Sequence, residues 1–219
     1  MLYYQKTVDE TLKELSSTPE GISSHEASER LKKHGLNEIS IKGEPFWKKI
    51  VEPFANIFMA VLFVAVVISF AQKHPLDGII ILVIMIVSAS IYYVQRFSTE
   101  RILRSLQKKN SKPVEVIRNG KGISIDPSQL VPGDIVRLVE GDKVPADIRL
   151  IESESVRAAE AVLTGESVPV SKHTEALAGE KQVYDQSNML FQGSFIVAGV
   201  ATGAVVYTGN KTEFGRIAA

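Results

Sequence analysis

The chain has 219 residues, with 25 acidic side chains set against 25 basic ones and no cysteine. That balance removes the global positive field expected of a nucleic-acid binder, and the missing thiols exclude disulfides and thiolate metal sites. His25, His34, His74 and His173 are scattered, with no pair at ligand spacing, which argues against a histidine-built metal site.

Residues 1–49 read as a cytosolic N-terminal helical segment. Met1 to Lys6 lacks the basic-then-apolar pattern of a signal peptide, so membrane insertion is expected to use an internal segment. Thr7-Val8-Asp9-Glu10 fits a capping box, and Ser23-Ser24-His25-Glu26 repeats the pattern. Ile22 and Ala27 stand at the staple positions of the second cap, Leu31 extends its apolar face, and Gly35 supplies the stop.

Residues 50–94 read as a transmembrane helical hairpin. Phe54–Ala71 and Gly78–Val94 are apolar and free of charge, each near the lower length limit for crossing a bilayer; the first can extend back to Ile50 and the second to Pro75. The turn between them is too short for anything but antiparallel neighbours. Two buried core helices would be the competing reading, but the remaining sequence offers too little helix to wrap both. Lys42, Lys48 and Lys49 precede the first span, and Arg96, Arg101, Arg104, Lys108 and Lys109 follow the second, while the turn holds Lys73 alone. This places both ends in the cytosol, with Phe46, Trp47, Tyr92 and Tyr93 at interfacial depth. Residues 95–112 read as a connecting helix with Ile102, Leu103 and Leu106 on one side, its basic residues meeting headgroups, its length serving as a lever, or both.

Residues 113–219 have the texture of a compact, mostly β domain. Asn119-Gly120 between Val114–Arg118 and a strand containing Ile123 and Ile125 predicts a hairpin. Val131-Pro132-Gly133-Asp134 predicts a type II turn. Further strands are expected at Ile135–Val139, Ile148–Ile151, Met189–Phe191, Phe195–Ala198 and Ala201–Tyr207, with Thr212 capping a short last helix.

The chain has no phosphate-cradling P-loop, no dinucleotide fingerprint and no nucleophile elbow. Neither apolar stretch contains the carboxylates that mark an ion path. What stands out is Leu163-Thr164-Gly165-Glu166-Ser167-Val168-Pro169-Val170, a carboxylate on a tight turn between two small hydroxyl residues. Such a turn suits a group presented to a reacting centre on another domain. An ordinary surface turn would read the same way.

Thr164-Gly165-Glu166-Ser167 resembles the TGES signature of the P-type ATPase actuator domain. Val131-Pro132-Gly133-Asp134-Ile135-Val136 and Gly141-Asp142-Lys143-Val144-Pro145-Ala146-Asp147 resemble that family's two turns upstream of it, at the family's spacing. Asn188-Met189-Leu190-Phe191-Gln192-Gly193-Ser194 resembles its downstream strand. Gly21-Ile22-Ser23, Glu26-Ala27, Arg30-Leu31, Gly35 and Asn37 resemble the N-terminal motif of the cation pumps. The Gly-Asp-Lys-Val-Pro-Ala-Asp run and Ser171-Lys172-His173-Thr174 are similar to the calcium-pump-like branch, although sodium and proton pumps share much of the pattern.

The resemblance implies a distorted jelly-roll-like actuator domain on a membrane hairpin, an integral, multi-pass protein of the cell membrane. It implies that Glu166 positions and helps deprotonate the water that hydrolyses an aspartyl phosphate, with Thr164, Gly165 and Ser167 shaping the loop. The complete pump would use ATP and Mg2+, with no cofactor held by this chain. Its partners would be the lipid bilayer, the transported cation, and phosphorylation and nucleotide-binding domains. The family's DKTGT segment is absent from these residues, so the chain is expected to be inactive alone. A fragment of a pump, one chain of a split pump and a membrane-anchored regulatory module are the readings carried forward.

Overall fold

The computed structural model describes residues 2–39, 51–109, 112–165 and 168–218, apart from the side chains of 53, 99–109, 162 and 164. The chain divides into two compact units, one combining residues 1–41 with 112–219 and the other holding 42–111.

In the first unit the expected local signals are met. The capping box closes at the start of α1 (Val8–Glu14): the Thr7 hydroxyl accepts from the Glu10 amide, and the Glu10 carboxylate accepts from the Thr7 amide at 2.9 Å. The second cap is half of that arrangement. Ser23 accepts from the Glu26 amide at the head of α2 (Ser24–His34), but the Glu26 carboxylate turns to Arg30. A guanidinium one helical turn away is the stronger donor. Ile22, Ala27 and Leu31 pack together as expected, against Val131, and Gly35 ends the helix at φ +78°.

Among the described residues the sheet has seven antiparallel strands. β1 (Val114–Arg118) and β2 (Lys121–Ile125) form the hairpin around Asn119-Gly120, with positive φ at both turn residues. β3 (Ile135–Val139) follows the Val131–Asp134 turn, which the Asp134 amide closes on the Val131 carbonyl at 3.1 Å. Next come β4 (Asp147–Ala159), β5 (Val170–Ser171), β6 (Met189–Leu190) and β7 (Phe195–Tyr207). The order is β2-β1-β3-β7-β4-β5, with β6 also on β4. After the single-turn α5 (Ala161–Thr164), the last described segment, α6 (Glu213–Ala218), is capped by the Thr212 hydroxyl on the Gly215 amide.

Two strands run longer than the sequence suggests. β4 continues past Ile151 through Glu152-Ser153-Glu154, whose polar side chains carry no β signal but whose backbone stays paired with β7 across a register shift between Leu150 and Glu152. β7 joins the two expected strands because Gly199 does not end pairing. It sits at φ +83° opposite a bulge at Ser155, where the register shifts between Glu154 and Arg157.

Alternation splits the sheet's side chains between two cores. Val116, Val136, Leu138, Ile148, Leu150 and Val205 fill one. Ile135, Ala204 and Val206 turn the other way and meet Tyr4, Leu12 and Leu15 of the N-terminal segment. That segment therefore covers the sheet's second face, and burial of Leu12 and Leu15 contributes about 1.5–3 kcal/mol each.

The second unit holds α3 (Ile57–Ala71) and α4 (Pro75–Lys109). Among the described residues one helical stretch, Pro75–Ser98 with mean hydropathy 2.2, is long and apolar enough to cross a membrane. α3 is shorter than the expected first span. Asn56 stops it by taking the Phe58 amide on its side chain, leaving 15 residues, about 22 Å of helix against a ~30 Å hydrocarbon core. Met59, Val66 and Met85 pack between the two helices, while most of their other large apolar side chains are exposed. The Arg96 guanidinium pairs with Glu52 and donates to the Tyr92 hydroxyl at 3.2 Å. α4 continues without interruption into the connecting segment as far as Lys109. Phe46, Trp47, Lys42, Lys48 and Lys49 lie outside the described residues, as do the side chains of Arg101, Ile102, Leu103, Arg104, Leu106, Lys108 and Lys109.

Candidate functional site

The loop singled out by the sequence leaves the end of β4 and returns as β5. Glu160 opens the single turn α5 (Ala161–Thr164), its carbonyl accepting from the Leu163 amide at 2.9 Å. Thr164 is the last residue of that turn. Gly165 caps it in the left-handed region at φ +74°, and its amide donates to the Ala161 carbonyl at 2.9 Å. A Cβ added at Gly165 would meet nothing within 4 Å, so the backbone here faces open space. Val168, on the returning side of the loop, is 71% exposed. Glu166 and Ser167 lie outside the described residues.

Beneath this open loop is a buried ion pair that the sequence reading missed. Lys172 Nζ lies 2.5 Å from Glu160 Oε1, with the two side chains 0% and 2% exposed. Lys172 Nζ also donates to the Gln186 carbonyl at 3.3 Å and stands 5.7 Å above the Phe191 ring. Burial pushes the Glu160 carboxyl up and the Lys172 amine down, and each charge opposes the shift in the other. A lone acid between two alanines ahead of an apolar turn was the available signal, but nothing local points it at Lys172.

The other motifs hold the scaffold. Asp134 is fully buried and takes two bonds from Arg118. Arg30 donates to the Pro132 carbonyl at 2.7 Å and Ser17 to the Gly133 carbonyl at 2.7 Å, so this turn also anchors the N-terminal segment. Asp142 accepts from the Val139 amide and from Lys112. Asp147 accepts from the Gln192 amide at 2.9 Å and the Glu213 amide at 2.8 Å, tying β4 to the head of α6. Burial raises its carboxyl to about 7, against the lowering effect of those two amides. Asn188 donates to the Tyr4 and Glu175 carbonyls. Arg149, fully buried in β4, donates to the carbonyls of Lys6, Thr174 and Leu150. Its pKa, lowered by burial to about 10, leaves it charged at neutral pH. Among the described residues, no three His, Cys, Asp or Glu side chains gather as a metal site.

These residues build an antiparallel sheet with an open, glycine-capped loop between β4 and β5, its other motifs absorbed into structure. Residues 108–219 match the family described as P-type ATPase actuator domain, and residues 3–69 match that described as Cation transporter/ATPase, N-terminus. A calcium-transporting ATPase of Listeria monocytogenes is 37% identical over 219 residues, 100% of this chain and 25% of the relative. A cation-transporting ATPase of Synechocystis sp. is 34% identical across 99% of this chain and 24% of its own length. A sodium/potassium exporting P-type ATPase of Schizosaccharomyces pombe is 33% identical across 100% of this chain and 21% of its own length. The chain belongs to the P-type cation-transporting ATPase family, and its likeness is to the calcium-pump-like branch. It spans about a quarter of the length of the curated relatives it matches.

Proposed function

We propose that this chain is the N-terminal part of an ATP-driven cation pump, and that its Thr164-Gly165-Glu166-Ser167 loop promotes hydrolysis of an aspartyl phosphate carried by another domain. The observation that carries this is the loop's position: open at Gly165, flanked by exposed Val168, yet rooted in a fully buried ion pair. A rigid base under an open tip is what a group acting in trans requires.

In this reading Glu166 accepts a proton from water as the water oxygen bonds to phosphorus. The bond from phosphorus to the aspartyl oxygen breaks, its electron pair stays on the aspartate, and inorganic phosphate leaves. The bare backbone at Gly165 lets the loop approach the phosphoryl group, and Thr164 and Ser167 orient the carboxylate. ATP and Mg2+ act through the phosphorylation and nucleotide-binding domains, in cis or as a separate chain.

α3 and α4 serve as an antiparallel pair of membrane spans with both ends cytosolic. The exposed apolar side chains of both helices and the three-residue connection Gln72–His74 support this, and tilting or local thinning accommodates the short α3. The family and the hydrolytic role are tested together by trapping the phosphoenzyme: Glu166→Gln should let it form from ATP and then persist.

A further inference from the structure

We infer that Glu160 and Lys172 are positioning residues for that hydrolysis, a buried brace that fixes the Glu160–Gly165 turn from which Glu166 follows. The inference rests on the role proposed above for the loop. The β4–β5 ladder has two pairs, Arg157↔Ser171 and Ala158↔Val170, which is little to hold the excursion between Ala159 and Val170. The ion pair closes its base. Lys172 is held by three bonds, two to β4 and one to the turn before β6: its amide donates to the Val156 carbonyl at 2.9 Å, its carbonyl accepts from the Ser153 hydroxyl at 2.8 Å, and its ammonium reaches the Gln186 carbonyl. Through the ammonium this fixity passes to Glu160. The Glu160 carbonyl starts the turn whose last amide bond sets Gly165. Leu163, partly buried against the cluster that contains Phe191, is the apolar half of the same anchor.

Stability alone is a poor reason for such a pair. Taking two charges out of water costs several kcal/mol per ion, and apolar side chains of similar size hold a core as well or better. What the pair supplies that apolar packing does not is a directional contact between the two ends of the loop. A displacement of about 1 Å at a reacting group can cost ~100-fold in rate.

The test uses the full chain in the complete pump and compares the parent with the neutral double variant Glu160→Gln/Lys172→Met. Single variants strand a buried charge and are expected to unfold part of the domain. The double variant avoids that and should keep the parental unfolding midpoint. Hydrogen exchange at the Gly165 amide should nevertheless accelerate about tenfold or more, while sheet amides such as Leu150 stay protected. Decay of the phosphoenzyme should slow about tenfold or more, with its formation unchanged. Parental Gly165 exchange and parental decay in a folded double variant would show that the pair is structural only, overturning the inference. Exchange that rises uniformly across the sheet would overturn it as well. Glu166→Gln serves as the separating control. If that change leaves decay untouched, the proposed role of the loop fails, while Gly165 exchange still decides whether the pair braces it.

Discussion

Arg118 and Asp134 face each other across the first turn of the sheet in a two-pronged pair: Nε to Oδ1 and Nη2 to Oδ2, each 2.7 Å. Asp134 is fully buried, and its Oδ2 also accepts from the Val131 amide at 2.9 Å. One carboxylate thus joins the hairpin strand β1 to the turn on which the N-terminal segment rests. Asp134→Ala strands the guanidinium and should cost about 3–5 kcal/mol, read from urea unfolding of the chain in detergent. A loss below about 1 kcal/mol would mean the pair carries little of the turn.

Gly199 is where β7 crosses the β4 bulge. Its φ is +83°, and an added Cβ would stand 2.6 Å from the Ser155 carbonyl oxygen. Gly199→Ala combines backbone strain of about 1–3 kcal/mol with a clash against backbone that cannot swing away. A drop in the thermal midpoint is expected, with far-UV circular dichroism as the measurement. An unchanged midpoint would place the bulge elsewhere.

Gly165 is the contrasting case. Its φ of +74° would strain any residue with a Cβ, but nothing lies within 4 Å of an added Cβ. Gly165→Ala should cost about 1–2 kcal/mol in stability, yet slow phosphoenzyme decay strongly if bare backbone must approach the phosphoryl group. Equal, small effects on both readouts would mark Gly165 as a turn residue only.

Asp147 makes the domain's stability depend on pH. Its carboxyl is raised from 3.8 to about 7 by burial, with Glu213 raising it further and the amides of Gln192 and Glu213 and the charge of Arg216 lowering it. Because the folded value lies above the unfolded one, this contribution is fully present below about pH 4 and is lost as pH rises through about 7. Across that window the slope is at most about 1.4 kcal/mol per pH unit. A carboxyl carbon resonance of Asp147 titrating near pH 7 in the folded chain is the expected result; a midpoint near 4 would show that the two amide bonds outweigh burial.

What was legible in the sequence was local. Thr7 and Glu10, Asn119-Gly120 and Val131–Asp134 each encode their geometry within four residues, and each forms as read. Motif matching likewise located the loop at Thr164 and Gly165. The partners of the long-range polar groups were not legible. Glu160 meets Lys172 because β4 and β5 pair. Arg149, placed between Ile148 and Leu150, is buried because the N-terminal segment arrives to offer the Lys6 carbonyl. Gly199 was read as a strand boundary because a glycine looks alike at a strand end and at a bulge, and the partner strand decides between them.

The proposed action of Glu166 is on a phosphoryl group held elsewhere in the pump. Its most direct test is to label the complete pump with radioactive phosphate from ATP, chase with unlabelled ATP, and compare parent with Glu166→Gln. Labelling should proceed as in the parent while decay slows by about 10²–10⁴, the contribution of a positioned general base. Decay at the parental rate in Glu166→Gln, or a pump that carries this chain yet forms no acid-stable phosphoenzyme at all, would contradict it.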